Sequence, residues 1–184
     1  SVCPANLTRA LLSNRTCSTL CAPCPVGRAN PRYGGPADAC QNCTAGRDNS
    51  LPGQPACQRC APGHFGDAAI APNSSQHCRP CPAGKHQRRA GQPSCVSCRV
   101  GKRGDAARGA ASEAAQCSAC EPGSYQASSG RVECAACPPG QHQRGAGRAR
   151  CLPNTRCAVG SRVSANATLA SDQTCTICAP GWYS

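Results

Sequence analysis

The stretch CRPCPAGKHQRRAGQPSCVSC, residues 78–98, sets the pairs Cys78/Cys81 and Cys95/Cys98 on either side of a thirteen-residue loop. Four cysteines so spaced can grip a metal, carry redox chemistry, or staple a chain with no other means of staying folded. Working outward, C-x-x-C recurs at Cys21/Cys24, Cys40/Cys43, Cys57/Cys60, Cys117/Cys120, Cys134/Cys137 and Cys175/Cys178. Three residues after the second cysteine of each pair stands a glycine: Gly27, Gly46, Gly63, Gly84, Gly101, Gly123, Gly140 and Gly181, with Cys157 and Gly160 keeping the same offset. A glycine at a fixed distance from a cysteine predicts a turn with positive φ, or a backbone pressed against a disulfide. The unit is C-x-x-G, a loop, then C-x-x-C.

The loops alternate in length. Thirteen residues separate Cys43 from Cys57, seventeen Cys60 from Cys78, thirteen Cys81 from Cys95 and eighteen Cys98 from Cys117. Gly53-Gln54-Pro55 returns as Gly91-Gln92-Pro93, and Gly66-Asp67-Ala68-Ala69 as Gly104-Asp105-Ala106-Ala107, each 38 residues on, so a short-plus-long double unit was duplicated. Two residues past the glycine come Phe65, His86, Tyr125, His142 and Tyr183, rings that could lie over a disulfide, although Ala29, Asp48, Arg103 and Arg162 hold the same place elsewhere.

Composition rules out an ordinary core. In 184 residues there are one Trp, one Phe, three Tyr and no Met, against 19 Gly, 17 Pro and 20 Cys. Such a chain would read as disordered were covalent closure not available in place of hydrophobic burial. No window keeps apolar periodicity long enough for a helix, and Ala-rich Asp105–Gln116, broken by Gly109, predicts a helical turn at most. Short two-stranded ribbons and turns are expected elsewhere. No stretch approaches the length of an apolar membrane span. The start on Ser1 and the stop within a repeat opened by Cys178 lead us to expect a fragment of a longer protein.

Zinc is the serious competitor for the cysteines, since paired C-x-x-C is zinc-ribbon spacing. Against it, Asn6, Asn14, Asn42, Asn73 and Asn166, five of the eight asparagines, stand in N-x-S/T sequons, which marks a secreted, glycosylated and therefore oxidised chain. The cysteines also run on without closing into groups of four. Redox catalysis lacks the helix N-terminus and α/β scaffold that lower a thiol pKa. His64, His77, His86 and His142 match no metal-ligand spacing and read as surface residues. With eight acidic residues and no pocket-forming core, no catalytic site is expected, and no cofactor or metal. The net charge of +12 permits acidic glycans or nucleic acid as partners, and the lack of aromatic platforms argues against nucleic acid.

The C-x-x-G, loop, C-x-x-C run from Cys21 to Cys151 resembles the ephrin-receptor-like cysteine-rich repeats of long extracellular proteins. From Cys134 to Cys178 the sequence resembles a tumour necrosis factor receptor module: CAACPPGQHQRGAGRARC is followed by CLPNTRC and by an ending Ser171-Asp172-Gln173-Thr174-Cys175-x-x-Cys178. Six or more one-disulfide loops in succession depart from the receptor pattern and favour a spacer or fibre. The Ala, Arg and Gly bias fits a GC-rich source, and by analogy the chain resembles flagellar-hair (mastigoneme) proteins, which carry similar repeats.

These readings give a small disulfide-rich fold: tandem cysteine-rich repeats in an elongated rod with little regular secondary structure. Residues 1–23 end a preceding cysteine-rich module, 24–133 are ephrin-receptor-like repeats, 134–178 a tumour necrosis factor receptor-like module and 179–184 the start of another repeat. Each loop is expected to close from the second cysteine of one pair to the first of the next: Cys24–Cys40, Cys43–Cys57, Cys60–Cys78, Cys81–Cys95, Cys98–Cys117, Cys120–Cys134 and Cys137–Cys151. Cys157–Cys175 follows from the same scheme and from the receptor-like ending. Cys3–Cys17 is preferred over Cys3–Cys21, and Cys178 is expected to pair beyond Ser184. Functionally, the chain reads as a non-catalytic extracellular structural or adhesive segment, secreted or on the cell surface, with a ligand-binding receptor ectodomain as the alternative. Expected partners are other protein chains, possible self-assembly included, acidic glycans, and N-linked glycans on the sequons. The sequon-free stretch from 76 to 161 carries the candidate partner-binding residues Lys85, Arg88, Arg89, Lys102, Arg103, Arg144, Arg148 and Arg150.

Overall fold

A computed structural model describes residues 7–9, 21–32, 39–67, 78–105 and 109–182. Each repeat begins with a tight turn centred on its fixed-offset glycine. The Arg28 N–H donates to the Pro25 carbonyl at 3.2 Å, and Arg47 to Thr44 and His64 to Ala61 do the same at 3.0 Å. The glycine is the third residue of each such turn and holds φ between +75° and +83° at these three sites, the conformation a type II turn demands of that position. Pro62, Pro122 and Pro139 occupy the second position, where a ring-locked φ suits the same turn.

The two residues after the turn glycine pair with the two residues that follow the cysteine closing the loop. Arg28–Ala29 pairs antiparallel with Gln41–Asn42, Arg47–Asp48 with Gln58–Arg59, Ser124–Tyr125 with Ala135–Ala136, and Gln141–His142 with Leu152–Pro153. Among the described residues there are nine such two-stranded ribbons and one helical turn, Glu113–Gln116, inside the 105–116 stretch. Extended backbone sends successive side chains to opposite faces, so cysteines three apart point away from each other and bridge outward to different loops. Among the described residues eight disulfides result: 24–40, 43–57, 60–78, 81–95, 98–117, 120–134, 137–151 and 157–175. These are the pairs of the consecutive-closure scheme. Cys178 is the one free cysteine among the described residues, and the side chains of Cys3, Cys17 and Cys21 lie outside them.

The chain divides into two compact units, residues 1–82, 86–96 and 108–112 in the first and 83–85, 97–107 and 113–184 in the second. The same backbone ladder recurs in each. In the first unit the turn glycines Gly27, Gly46 and Gly63 donate to the carbonyls of Asn49, Gly66 and Gln87, each three residues past the next turn glycine, at 2.8, 3.1 and 2.7 Å. Gly66 and Gln87 then donate to Gln92 and Ala110 of the following loop, at 3.0 and 3.1 Å. In the second unit Gly101 and Gly123 donate to Gln126 and Gln143, which donate onward to Arg148 and Leu169. A third rung joins a glycine deep in each loop to the cysteine that opens the preceding one: Gly91 to Cys60 in the first unit, Gly130 to Cys98 and Gly147 to Cys120 in the second, all 2.8 Å.

The ladder therefore brings three consecutive loops together, one more than a stack in which each repeat meets mainly its neighbours. The turn glycine is what permits it: a Cβ at Gly46 would collide with the Gly91 carbonyl, and one at Gly101 with the Gly147 carbonyl, both two loops further on. Sequence reasoning offered a disulfide as the partner of this close approach; the partner is backbone.

The interior is made of cysteine and amide. Among the described residues the buried apolar ones are cysteines apart from Ala29, and the largest fully buried side chains are Gln116, Asn30 and Asn49. His86 and His142 are also buried, each 5% exposed, which corrects their reading as surface residues; they occupy the ring position two past the glycine, where the ribbon faces the stack. His64 is half-buried, and His77 lies outside the described residues. Phe65 and Tyr125, at the same ring position, are half-buried.

Candidate functional site

Three of the thirteen-residue loops, 81–95, 120–134 and 137–151, share one internal clip, whereas in the 43–57 loop the matching Asn49 donates its Nδ2 to the Arg28 carbonyl of the preceding loop at 3.0 Å. An amide side chain stands three residues past the turn glycine and folds back over its own loop. Gln87 Nε2 donates to the Ser94 carbonyl at 2.7 Å, while Gln87 Oε1 accepts from the Arg89 N–H at 3.0 Å. Gln143 repeats this with Arg150 and Gly145, and Gln126 with Glu133 and Ser128. Each amide thus fixes both strands of its loop, Gln87 and Gln143 from buried positions and Gln126 from a half-buried one. The 60–78 and 98–117 loops carry Gly66 and Gly104 at this position, and a Cβ on either would strike the turn glycine of the preceding loop, Gly46 or Gly84. Sequence inspection recorded the Gly-Asp echo of the long loops but missed the matching amide of the short ones, although Asn49, Gln87, Gln126 and Gln143 share one offset.

A shallow concavity lies on the outer side of three of the thirteen-residue loops, and the residues around it vary. In the 137–151 loop a depression of about 820 Å³ is lined by Gln143, Arg144, Gly145, Arg148, Ala149 and Arg150 together with Leu152. In the 81–95 loop the equivalent depression, about 570 Å³, carries Arg88, Arg89 and Gln92. In the 43–57 loop it carries Asp48, Ser50, Leu51 and Gln54 and no basic residue. One scaffold displays three different surfaces, the arrangement expected where framework and recognition are separate tasks.

The expected basic residues fall into distinct settings. Arg144, Arg148 and Arg150 are exposed, share one concavity and form no ion pair among the described residues. Arg88 and Arg89 are exposed on their own loop, and Lys85 is half-buried. Lys102 is taken up by Glu113, with its Nζ 2.9 Å from Oε1. Arg103 lines a depression together with the acidic Glu121 and Glu133. Guanidinium groups stay ionised at any physiological pH and present paired donors that match oxyanions, so the 137–151 concavity is suited to binding anions. Of the sequons, Asn42 and Asn166 are exposed, and Asn6, Asn14 and Asn73 lie outside the described residues.

A second polar cluster ties the 137–151 loop to the 157–175 loop. Asp172 accepts from the Thr155 hydroxyl, from the Thr155 N–H at 2.8 Å and from the Gln173 N–H at 2.8 Å. His142 Nδ1 lies 3.0 Å from Asn154 Oδ1 and 3.7 Å from Asp172 Oδ1. The Thr155 hydroxyl and amide, with smaller help from Gln173 and His142, hold the Asp172 carboxyl below its ordinary value of 3.8. This cluster fastens one loop to the next.

With that geometry in hand, residues 69–115 and 108–151 match the family model described as tyrosine-protein kinase ephrin type A/B receptor-like. The repeats from 69 to 151 are thus similar to an extracellular cysteine-rich repeat, and such repeats are typically non-enzymatic. A comparison with curated proteins found no match. The tandem disulfides and this similarity together point to an extracellular or cell-surface location. No helix among the described residues is long and apolar enough to cross a membrane.

Proposed function

We propose that the chain is a non-catalytic structural or adhesive segment of a larger secreted or cell-surface glycoprotein, in which the repeats act as a stapled spacer and the loop surfaces make the contacts. The observation that carries this reading is the backbone ladder, which recurs in both units while the outer residues of the loops change. A framework built from backbone and buried amides tolerates surface variation, as a repeating scaffold must. The partners are other protein chains, copies of itself among them, and acidic glycans; N-linked glycans on the sequons shield the remaining faces.

A ligand-binding receptor ectodomain is the second reading. It is favoured by the receptor-like ending, where the last loop carries the Cys151–Cys157 gap and the Asp172 cluster in addition to its ladder bond from Gln143 to Leu169. In-frame removal of residues 44–81, one 38-residue period, separates the two. The deletion joins Cys43 to the loop that Cys81 opened and preserves the order of cysteines. A spacer stays bridged, reaches the cell surface in the parent protein and retains adhesion. Normal display with adhesion or ligand capture abolished would overturn the spacer reading in favour of the receptor.

A further inference from the structure

We infer that the concavity of the 137–151 loop is a binding site for a sulfated polysaccharide, with Arg144, Arg148 and Arg150 holding its sulfate groups. This deepens the proposed function and rests on the extracellular reading.

Three observations support it. The first is charge left uncompensated: three guanidinium groups open on one depression, whereas Lys102 and Arg103 in the same unit have acidic neighbours. The second is preorganisation. Gln143, 6% exposed, bonds the Arg150 carbonyl at 2.7 Å and the Gly145 N–H at 3.0 Å, so the two strands bearing Arg144 and Arg150 are fixed before any ligand arrives. Gly145, where the 81–95 loop has Arg89, leaves room for the Arg148 side chain: a Cβ there would lie 2.9 Å from Arg148 Nε. The third is the comparison among loops of one scaffold. At the positions four, eight and ten past the turn glycine, the 137–151 loop has three arginines, the 81–95 loop Arg88 with Gln92 and Ser94, and the 43–57 loop Ser50, Gln54 and Ala56. The framework does not require arginine there.

The lining also selects the ligand class. It has no aromatic ring on which a base could stack, which disfavours single-stranded nucleic acid. Its apolar side chains are Ala149 and Leu152, too little to seat the buried anchor that a protein partner uses. A wide, open, arginine-rimmed surface fits a polymer that presents repeated oxyanions among hydroxyls, and arginine forks bond such oxyanions in pairs.

The test is binding of the secreted, fully bridged segment to size-defined dextran sulfate, with unsulfated dextran and poly-glutamate as comparison probes. The triple variant Arg144→Gln/Arg148→Gln/Arg150→Gln is set against a charge-matched control, Arg79→Gln/Arg99→Gln/Arg156→Gln. The first variant should lose on the order of tenfold or more in affinity, and the control less than about threefold, at near-physiological salt where distant charges are screened. Unsulfated dextran should not bind, and poly-glutamate should bind more weakly than dextran sulfate. Equal losses in the two variants, or equal binding of poly-glutamate, would overturn the site. Thiol labelling shows whether both variants keep the wild-type bridges. Failure to bind dextran sulfate by a segment that is secreted and bridged defeats this site and leaves the spacer reading standing; failure to be secreted and bridged defeats the extracellular reading itself.

Discussion

At Gly101 the backbone holds φ +79°, and an added methyl group would run into the Gly147 carbonyl. Gly140 has nearly the same dihedral, φ +80°, but a Cβ there meets nothing within 4 Å. The two positions separate conformational cost from stacking cost. Gly140→Ala should lose about 1–2 kcal/mol, the penalty of placing an L side chain in the left-handed region. Gly101→Ala should lose more than about 3 kcal/mol, because the collision is with backbone and the Gly101 to Gln126 rung is broken as well. Amide hydrogen exchange, read as local opening free energy at each turn, checks both. Equal costs at the two sites would mean that the three-loop junction contributes nothing.

At the scale of the element, loop closure and loop docking are separable, and the last loop shows this through its pH response. The folded carboxyl of Asp172 titrates below 3.8, the ordinary value that it regains on unfolding. The anchoring that it gives is therefore complete above about pH 4 and is lost as pH falls through the lower, folded value. Protection of the Thr155 amide against exchange should be constant above pH 4 and decline below it, and Asp172→Asn should flatten that profile. The disulfides are indifferent to this range, so the loop comes off its neighbour while remaining a closed loop. Much of the fold was legible because cysteine and glycine impose their geometry locally: the alternation of an extended C-x-x-C dictates outward bridging, and a fixed glycine dictates a turn. What lay hidden was relational. Gln143 reads as any polar loop residue until Gly145 and Arg150 are seen on either side of it, and His142 reads as surface until Asn154 and Asp172 cover it. The arginines of the 137–151 loop were visible as charge, but only coordinates show that they share a concavity while Lys102 is spent on Glu113.

For the molecule as a whole, the division between constant framework and variable outer surface explains how a chain with one Trp and one Phe keeps an ordered backbone. The interior rests on disulfide sulfur and buried amides, which need no large side chain and so accommodate loops of different length at a slowly rising entropic cost. The consecutive bridges have a mechanical consequence. Tension applied to the chain passes from cysteine to cysteine across each disulfide, where the Cα atoms are 5.3 to 5.8 Å apart, and bypasses the loop between them. Bridged cysteines 14 to 19 positions apart enclose a loop that would pay out on the order of 50–65 Å when pulled straight and that stays slack under load. Pulled singly, the oxidised chain should lengthen only through its C-x-x-C links, and reduction should release the hidden length loop by loop. The segments that bear recognition residues are the ones the load never reaches, so a surface such as the 137–151 concavity can keep its shape while the strand that carries it is taut.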